Sequence, residues 1–467
     1  MVDVNPEYGT LSDFDDLLKA LNKSGIRVVM DYVPNHTSDK HDWFAKSCAR
    51  DPKYENYYVW VDPKVNPDNS ISPPNNWTGA FRGSMWTYHK GRKQMFLHQY
   101  LDGQPDLNYR SDDVVNDMKE VMNFWLKRGV AGFRMDTVAT LAEDDSWADE
   151  PFNSQCGDPQ DSSCYIHTKT TEQPLTYDTL RKFKQFLEDY AKSTDNIPRI
   201  MMTESWSNES TVLQRYYGTQ DAQRTTFPFN FLCIMRMEVD QEDPAKKWAD
   251  TINDWYSKVM PGPWAQPNLV LGNHDKHRFA SRMTPEHSDI MNMVQLTLKG
   301  TALVYYGDEL GLVNSIVRRD QAKDIQGIRA GPGKFYENSR DPGRNPMPWN
   351  NTVNGGFSTG NPWLPLASDY SLNNVASQLR APTSHLKVFQ ALAKLRKTKT
   401  LIKGSCDVKN VDGSLIVWRS LNDNPSIVTV ANLENRQQTV NLAEIRASMP
   451  QQMYIIVKST NYLNNAM

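Results

Sequence analysis

A helix, a glycine and a short apolar strand that leads into an aspartate occur in this order twice along the chain. In the first unit the helix ends before Gly25, and the strand from Ile26 to Met30 is followed by Asp31. In the second unit Gly129 follows the helix, and the strand ends at Asp136. A repeated unit of this kind is typical of βα alternation, which places the carboxyl ends of parallel strands on one face of a domain.

Further apolar runs continue this alternation, with helical patterns between most of them. They predict strands at Ile200 to Thr203, Thr226 to Phe231, Leu269 to Leu271 and Ala302 to Tyr306. The pattern predicts an α/β fold, a (β/α)8 TIM barrel, with an open doubly wound sheet as the alternative.

Two stretches depart from the alternation. Residues from about 37 to 110 are rich in Pro, Asn, Trp and Tyr and show little helical periodicity, which predicts a loop-rich subdomain inserted in the barrel. Beyond residue 385 a last helix gives way to alternating segments, which predict a C-terminal antiparallel β domain. We therefore expect a catalytic region 1–384 and a C-terminal region 385–467.

Three of the predicted strands lead into carboxylates. Asp136 and Glu204 follow their strands directly, and Asp275 follows a Gly-Asn-His segment. Any one of them alone is explained by a strand-end cap, but a buried carboxylate is costly, so its repetition indicates chemistry. Glycoside hydrolysis needs one carboxylate that attacks the sugar and one carboxylic acid that protonates the leaving oxygen.

Composition restricts the partners of the chain. Its 467 residues carry a formal net charge of −3, which gives no attraction for nucleic acid or an anionic membrane. No apolar run is long enough to span a bilayer, so no transmembrane segment is expected. A neutral small molecule fits this surface better.

Cysteine residues and acceptor sites for N-glycosylation give information on the cellular compartment of the chain. Cys156 and Cys164 enclose a short loop, and we expect them to form a disulfide in an oxidising environment. The first residues lack the features of an export signal. Five Asn-X-Ser/Thr sequons nevertheless occur, at Asn22, Asn35, Asn76, Asn208 and Asn350.

Six ordered motifs resemble the successive sequence regions of the α-amylase superfamily of glycoside hydrolases. The narrower resemblance is to animal maltases, especially those of insects. The motifs are Asp31 to His36, Gln104 to Asn108, Gly132 to Asp136, Thr203-Glu204, Asn273 to Asp275 and Gly307 to Glu309.

The resemblance implies a retaining α-glucosidase that releases terminal α-1,4-linked glucose from maltose, sucrose and short oligosaccharides. It assigns Asp136 as the nucleophile, Glu204 as general acid and then base, and Asp275 as a carboxylate that holds sugar hydroxyls. Implied substrate-binding residues are Asp31, His36, Arg134, His274 and Arg344, with Arg340 as an alternative to Arg344.

Arg134 and Thr137 flank the implied nucleophile. Arg134 lies two residues before Asp136, so its side chain points to the same side of the strand and is expected to keep Asp136 ionised, while Glu204 must stay protonated. The threonine at 137, where similar enzymes that cleave α-1,6 links have valine, favours α-1,4 links.

No cofactor is expected for catalysis, but the resemblance implies a structural calcium. All the implied ligands are oxygen donors, as calcium prefers. They are Asn35, Asp106, Thr140, Leu141 and Glu143.

The resemblance also raises an alternative and an expectation about the ends. It implies that the first two barrel strands are missing from the chain and that the C-terminal domain is also incomplete. The full-length protein is expected to be secreted or on the extracellular surface. Heavy subunits of amino-acid transporters resemble the same enzymes, so the alternative is a catalytically impaired, maltase-like protein that acts as a receptor, as a sugar binder or as a partner of the transporter type.

Overall fold

The computed structural model describes residues 1–237, 242–446 and 452–462. These residues divide into two units, described separately below. The first comprises Met1–Phe229 and Pro261–Ala265, and the second comprises Asn230–Met260 and Gln266–Met467. The predicted boundary at residues 384 and 385, and the predicted absence of two barrel strands, stay predictions.

The first unit alternates helices and strands as expected. Its helices are α1 (Leu11–Lys23), α2 (Asp42–Cys48), α3 (Asp112–Arg128), α4 (Pro174–Ser193) and α5 (Ser210–Tyr217). Its strands are β1 (Val29–Tyr32), β2 (Trp60–Val61), β3 (Lys64–Val65), β4 (Ile71–Ser72), β5 (Trp86–His89), β6 (Gln94–Leu97), β7 (Gly132–Met135), β8 (Ile200–Thr203) and β9 (Phe227–Pro228).

Four of these strands form one parallel sheet in the order β1-β7-β8-β9. β8 has the predicted bounds. β1 begins at Val29, three residues later than Ile26, because its ladder with β7 starts at the pair Val29 and Gly132. The strand also continues to Tyr32, so Asp31 lies inside the strand and not after it.

Helix α3 shows why the apolar pattern specifies this core. Its predicted stripe is buried along its whole length, and it packs against the sheet in one cluster. The helix ends at Gly129, which adopts a φ of 107°, a left-handed conformation that glycine tolerates best. The buried stripe consists of Val114, Val115, Met118, Val121, Met122, Trp125 and Leu126.

The segment 37–110 contains short elements between long loops. β2, β6 and β5 form an antiparallel sheet in that order, β3 pairs with β4, and α2 is its helix among the described elements. Farther along, Cys156 and Cys164 form the predicted disulfide, with their Cα atoms 5.5 Å apart.

The second unit contains the remaining elements. Its helices are α6 (Leu232–Arg236), α7 (Pro244–Asp254), α8 (Phe279–Arg282), α9 (Ser288–Thr297), α10 (Ile325–Arg329), α11 (Phe335–Asn338), α12 (Val375–Arg380), α13 (His385–Leu395) and α14 (Lys399–Lys403). Its strands are β10 (Asn268–Val270), β11 (Thr301–Leu303), β12 (Ser405–Val411), β13 (Ser414–Ser420) and β14 (Ile427–Asn432).

Two sheets organise this unit. β10 and β11 are parallel, and β12, β13 and β14 form the predicted antiparallel sheet. Asp412 and Gly413 make the tight turn between β12 and β13, both with positive φ, as a two-residue hairpin loop requires. Among the described residues, no helix has the length and apolar character needed to cross a membrane.

We expect the substitution Gly132→Ala to destabilise the first unit. An added Cβ at this position would lie 2.1 Å from the backbone oxygen of Ile200, so β7 and β8 would have to separate. The expected loss is about 1–3 kcal/mol in the free energy of unfolding, measured by urea denaturation. Gly157→Ala is the matched control because its Cβ would meet no atom within 4 Å. Equal stability of the two variants would contradict the prediction.

Candidate active site

The ends of β7 and β8 place Asp136 and Glu204 next to each other. Each residue continues the parallel ladder one step beyond its strand. The backbone N–H of Asp136 donates to Tyr32 O at 2.8 Å, and that of Glu204 donates to Met135 O at 3.0 Å. Because both residues leave adjacent strands at the same edge, their side chains meet there.

Arg134 contacts three carboxylates at this edge. Its Nη1 lies 3.0 Å from Asp31 Oδ1 and is also hydrogen-bonded to Asp136 Oδ1, while its Nη2 lies 3.1 Å from Glu204 Oε2. Asp31 reaches the guanidinium because it is the register partner of Arg134 on β1. The prediction that Arg134 points to the side of Asp136 is confirmed.

Asp136 and Glu204 compete for this positive charge. Burial, followed by the charge of Glu204, raises the pKa of Asp136 to about 7, although Arg134 acts in the opposite direction. Arg134 thus favours the ionised form of Asp136 as expected, but burial and the charge of Glu204 outweigh its effect on the pKa in the free chain. Burial is the larger cause, and the nearby second carboxylate, which the arginine must also neutralise, adds to it.

Glu204 is held by two further donors. Thr137 N donates to its Oε2 at 3.0 Å, and Trp206 Nε1 donates to its Oε1 at 2.9 Å. Thr137 adopts a φ of 48°, a left-handed conformation that is strained for a β-branched residue. This conformation aims its N–H at the carboxylate of Glu204, while its own buried hydroxyl has no hydrogen-bond partner among the described residues.

Glu172 supports the segments that carry both carboxylates. Its backbone N–H donates to Ala139 O at 2.8 Å, in the loop after Asp136. Its carboxylate accepts hydrogen bonds from Tyr216 at 2.8 Å and from Ser205, the residue after Glu204, at 3.4 Å. Glu172 thus joins the loop after β7 to the end of β8, and sequence patterns gave no signal for it.

His36 and Tyr100 lie beside the carboxylates. The two ring nitrogens of His36 hydrogen-bond to Gln104 at 2.9 Å and to Asn35 at 3.4 Å, and burial lowers the pKa of His36 to about 4. The imidazole is therefore neutral. The ring of Tyr100 lies 5.5 Å from that of His36, and burial followed by the charges of Glu204 and Asp136 raises the pKa of its phenol.

Three of the predicted calcium ligands are linked by hydrogen bonds through Asn35. Asn35 Nδ2 donates to Asp106 Oδ1 at 3.1 Å, and Thr140 Oγ1 donates to Asn35 Oδ1 at 3.1 Å. Gln99, which the sequence did not indicate, donates to Asp106 from its backbone and to Thr140 O from its side chain.

The other two predicted calcium ligands, Glu143 and Leu141, are buried nearby and have other contacts. Glu143 is buried and paired with Arg110, and Leu141 is buried next to Thr140. In residues 1–237, 242–446 and 452–462, no three or more His, Cys, Asp or Glu side chains are grouped to hold a metal ion.

In the second unit, Asp275 is held by two arginines. Its Oδ1 lies 3.0 Å from Arg340 Nη1 and 3.3 Å from Arg344 Nη2. Arg344 also donates from Nε to His274 O at 2.7 Å, and His274 Nε2 lies 3.4 Å from Asp275 Oδ2. The predicted residues His274, Asp275 and Arg344 are thus in mutual contact.

Arg340 is the better anchored of the two arginines. Its Nη2 lies 2.7 Å from the buried Asp324, and its backbone N–H also donates to that carboxylate. Burial alone would raise the pKa of Asp324, but its bonds and ion pair with Arg340 lower the pKa below the usual value. Both arginines thus contact Asp275, and the assignment of Arg344, with Arg340 as the alternative, as the contact to the glucose stays a prediction.

The comparisons with known proteins support the same family of glycoside hydrolases. A family model described as the catalytic domain of α-amylase matches residues 1–404. Maltase 1 of Drosophila virilis is 40% identical over 97% of this chain and 72% of its own length. The human amino acid transporter heavy chain SLC3A1 is 33% identical over 98% of this chain and 65% of its own length.

Among solved structures, the chain is similar to the α-glucosyl transfer enzyme XgtA. The TM-score is 0.81 at 28% identity, over 92% of this chain and 79% of that one. Together with the family match, this similarity supports the (β/α)8 barrel class with a C-terminal antiparallel β domain.

We expect the stability of the chain to depend on pH through Asp136. Its pKa is about 7 in the folded chain, against an ordinary value of 3.8, so the folded state binds this proton more tightly. The stabilisation is complete below about pH 4 and is lost as the pH rises to about 7, at about 1.4 kcal/mol per pKa unit.

The measurement is urea denaturation at several pH values for the wild type and Asp136→Asn. The variant should lack the decline between pH 4 and 7 that this proton causes. Asp178→Asn, at an exposed position on α4, should keep the wild-type slope. Parallel curves for wild type and Asp136→Asn would contradict the assignment.

Proposed function

We propose that this chain, which belongs to the α-amylase family of glycoside hydrolases, is a retaining α-glucosidase that releases terminal α-1,4-linked glucose from maltose, sucrose and short oligosaccharides. The observation that carries the proposal is the joint contact of Arg134 with Asp136 and Glu204. A retaining mechanism needs two carboxyl groups close together, one ionised and one protonated.

In the proposed reaction, Asp136 attacks the anomeric carbon of the terminal glucose. The bond to the leaving oxygen breaks, and Glu204 transfers its proton to that oxygen. Glu204 then removes a proton from water, which attacks the same carbon and releases glucose and free Asp136.

In the free chain, burial and the charge of Glu204 raise the pKa of Asp136 to about 7, so this carboxyl is partly protonated at neutral pH. Catalysis needs that proton on Glu204. Hydrogen bonds that sugar hydroxyls donate to Asp136 favour ionised Asp136 and protonated Glu204, because hydrogen bonds to a carboxylate stabilise its ionised form. Arg134 contacts both residues and stabilises either ionised form.

For the remaining predicted residues we propose binding roles. Asp275, held locally by Arg340 and Arg344, would bind sugar hydroxyls, as the family motif implies. Asp31, His36 and His274 are proposed as further contacts. Thr137 supports the preference for α-1,4 links through its position directly after the nucleophile.

We further propose that the catalytic region spans residues 1–384, with the inserted subdomain at about 37–110, and that the C-terminal domain spans 385–467. The full-length protein is proposed to be secreted or displayed outside the cell. The disulfide between Cys156 and Cys164 supports this, because such bonds persist in oxidising compartments.

A catalytically impaired partner protein is the second candidate. The match to a transporter heavy chain favours it. Against it stands the carboxylate pair with its arginine, which a chain without chemistry would have no reason to keep buried at this cost.

Release of glucose from maltose by the purified chain tests the proposal. We expect turnover that Asp136→Asn lowers by roughly 10³-fold or more, because the nucleophile is lost. Maltose should be hydrolysed faster than isomaltose. Asp178→Asn should keep full activity, since its carboxylate lies exposed on α4. Lack of turnover by a folded wild-type chain would support the impaired partner.

We also propose a structural calcium near Asp106. Two buried oxygens, Asp106 Oδ2 and Gln99 Oε1, have no hydrogen-bond partner among the described residues. Burial, with the charge of Glu143, raises the pKa of Asp106 well above its usual range. A cation coordinated by oxygen ligands would satisfy both atoms. The ligands would be Asn35, Asp106, Gln99 and the carbonyl of Thr140, with Leu141 and Glu143 next to them.

Calcium should therefore raise the thermal midpoint of unfolding. At 100 times the dissociation constant the gain is about 2.7 kcal/mol in free energy. Scanning calorimetry with calcium and after chelation measures it. Asp106→Asn should abolish the dependence on calcium, and the exposed Asp102→Asn should preserve it. A wild-type midpoint that is insensitive to calcium would refute this site.

A further inference from the structure

The five sequons occupy very different surroundings in the structure. An N-glycan is attached through Nδ2 of asparagine, so an acceptor compatible with the fold needs an exposed side chain whose amide is not used elsewhere. The sequons at Asn22, Asn35, Asn76, Asn208 and Asn350 can therefore be compared by the burial and the bonds of their amides.

Two sequons are used inside the fold. Asn35 is only 1% exposed, and its Nδ2 donates to Asp106. Asn76 makes a two-point contact with the backbone of Glu150: its Nδ2 donates to Glu150 O at 2.9 Å, and its Oδ1 accepts from Glu150 N at 2.8 Å. A glycan on either nitrogen would remove these bonds and would have to pass through packed atoms.

In the sequon at Asn350, the asparagine side chain is hydrogen-bonded to the threonine of the same sequon. Asn350 Oδ1 accepts from Thr352 N at 2.9 Å and from Thr352 Oγ1 at 2.6 Å. Its Nδ2 packs so closely on Gly356 that a Cβ there would lie 2.5 Å away. The atom that would carry the sugar therefore faces the backbone of the same turn.

Asn208 is exposed, but it lies at the same edge of the sheet as the carboxylate pair. It lies in the segment between Glu204 and α5, after the carboxyl end of β8. A glycan on this segment would stand next to Glu204 and Trp206, at the edge where the carboxylate pair lies.

Asn22 differs from the other four. It lies in the last turn of α1, exposed, and Lys23 and Ser24 of its sequon are exposed as well. The chain then turns into β1, so Asn22 is at the amino end of the parallel sheet. The carboxylates are at the carboxyl end, and the amino end of such sheets contributes to stability and not to chemistry.

We infer that Asn22 is the N-glycan acceptor of this chain. The donor is an oligosaccharide linked through pyrophosphate to a lipid. Nδ2 of Asn22 forms a bond to its C1, the bond from C1 to the pyrophosphate oxygen breaks, and the amide loses one proton to a base of the transferase. The glycan extends from the amino end of the sheet and leaves the carboxylate edge open.

The test is secretion of the whole chain behind an export leader from insect cells. Peptide N-glycosidase in ¹⁸O-water converts each glycosylated asparagine into a labelled aspartate, which peptide mapping locates. We expect the label at residue 22 and at none of the other four sequons. An unlabelled Asn22, or a label at any of the other four sequons, would overturn the inference.

Variants make the result independent of folding defects. Asn22→Gln and Ser24→Ala each remove the sequon through a different residue, and both should abolish the shift in gel mobility that glycosidase treatment reveals. Ser24→Thr and Asn208→Gln should retain that shift. The thermal midpoint of unglycosylated Asn22→Gln should equal that of the unglycosylated wild type, because the side chain is exposed. A shift that persists in both sequon variants would contradict the assignment.

Discussion

The contact of one guanidinium with several carboxylates is the constraint on which the first unit depends. Arg134 bonds to Asp136 on its own strand and to Glu204 on the next, and it reaches Asp31 on the strand before. Three neighbouring strands must therefore keep their register, because a slip of one residue would turn these side chains to the opposite face. The close approach of Gly132 to Ile200 sets the spacing that this contact requires.

The same contact produces the unusual protonation of the pair. Burial disfavours the ionised form of Asp136, and one positive charge cannot fully neutralise two buried carboxylates, so the pKa of Asp136 is raised to about 7. The surrounding structure limits how the pair can respond. Thr137 adopts a strained φ that directs its N–H to the carboxylate of Glu204. Glu172 is hydrogen-bonded to the segments that follow Asp136 and Glu204. A hydrolase of this family needs such a pair, since a single proton must serve two steps.

Much of this arrangement follows from local sequence. The spacing of Arg134 and Asp136 on one strand, the strand that ends at Thr203 before Glu204, and the close pair of cysteines each fix a local geometry, and the structure confirms all three. Glu172 could not be predicted, because three of its partners, Ser205, Tyr216 and Ala139, are brought to it by folding.

The combined effect of Arg134 and Glu204 on the pKa of Asp136 also could not be predicted from the sequence. Burial and the proximity of Glu204 together outweigh the effect of Arg134 on the pKa of Asp136, and that proximity depends on the pairing of β7 with β8. The most direct test of the central claim is to trap the covalent intermediate with 5-fluoro-α-glucosyl fluoride and to map the labelled peptide by mass spectrometry. We predict a glucosyl ester on Asp136. A label on Glu204 or Asp275, or turnover of this reagent without any covalent adduct, would contradict it.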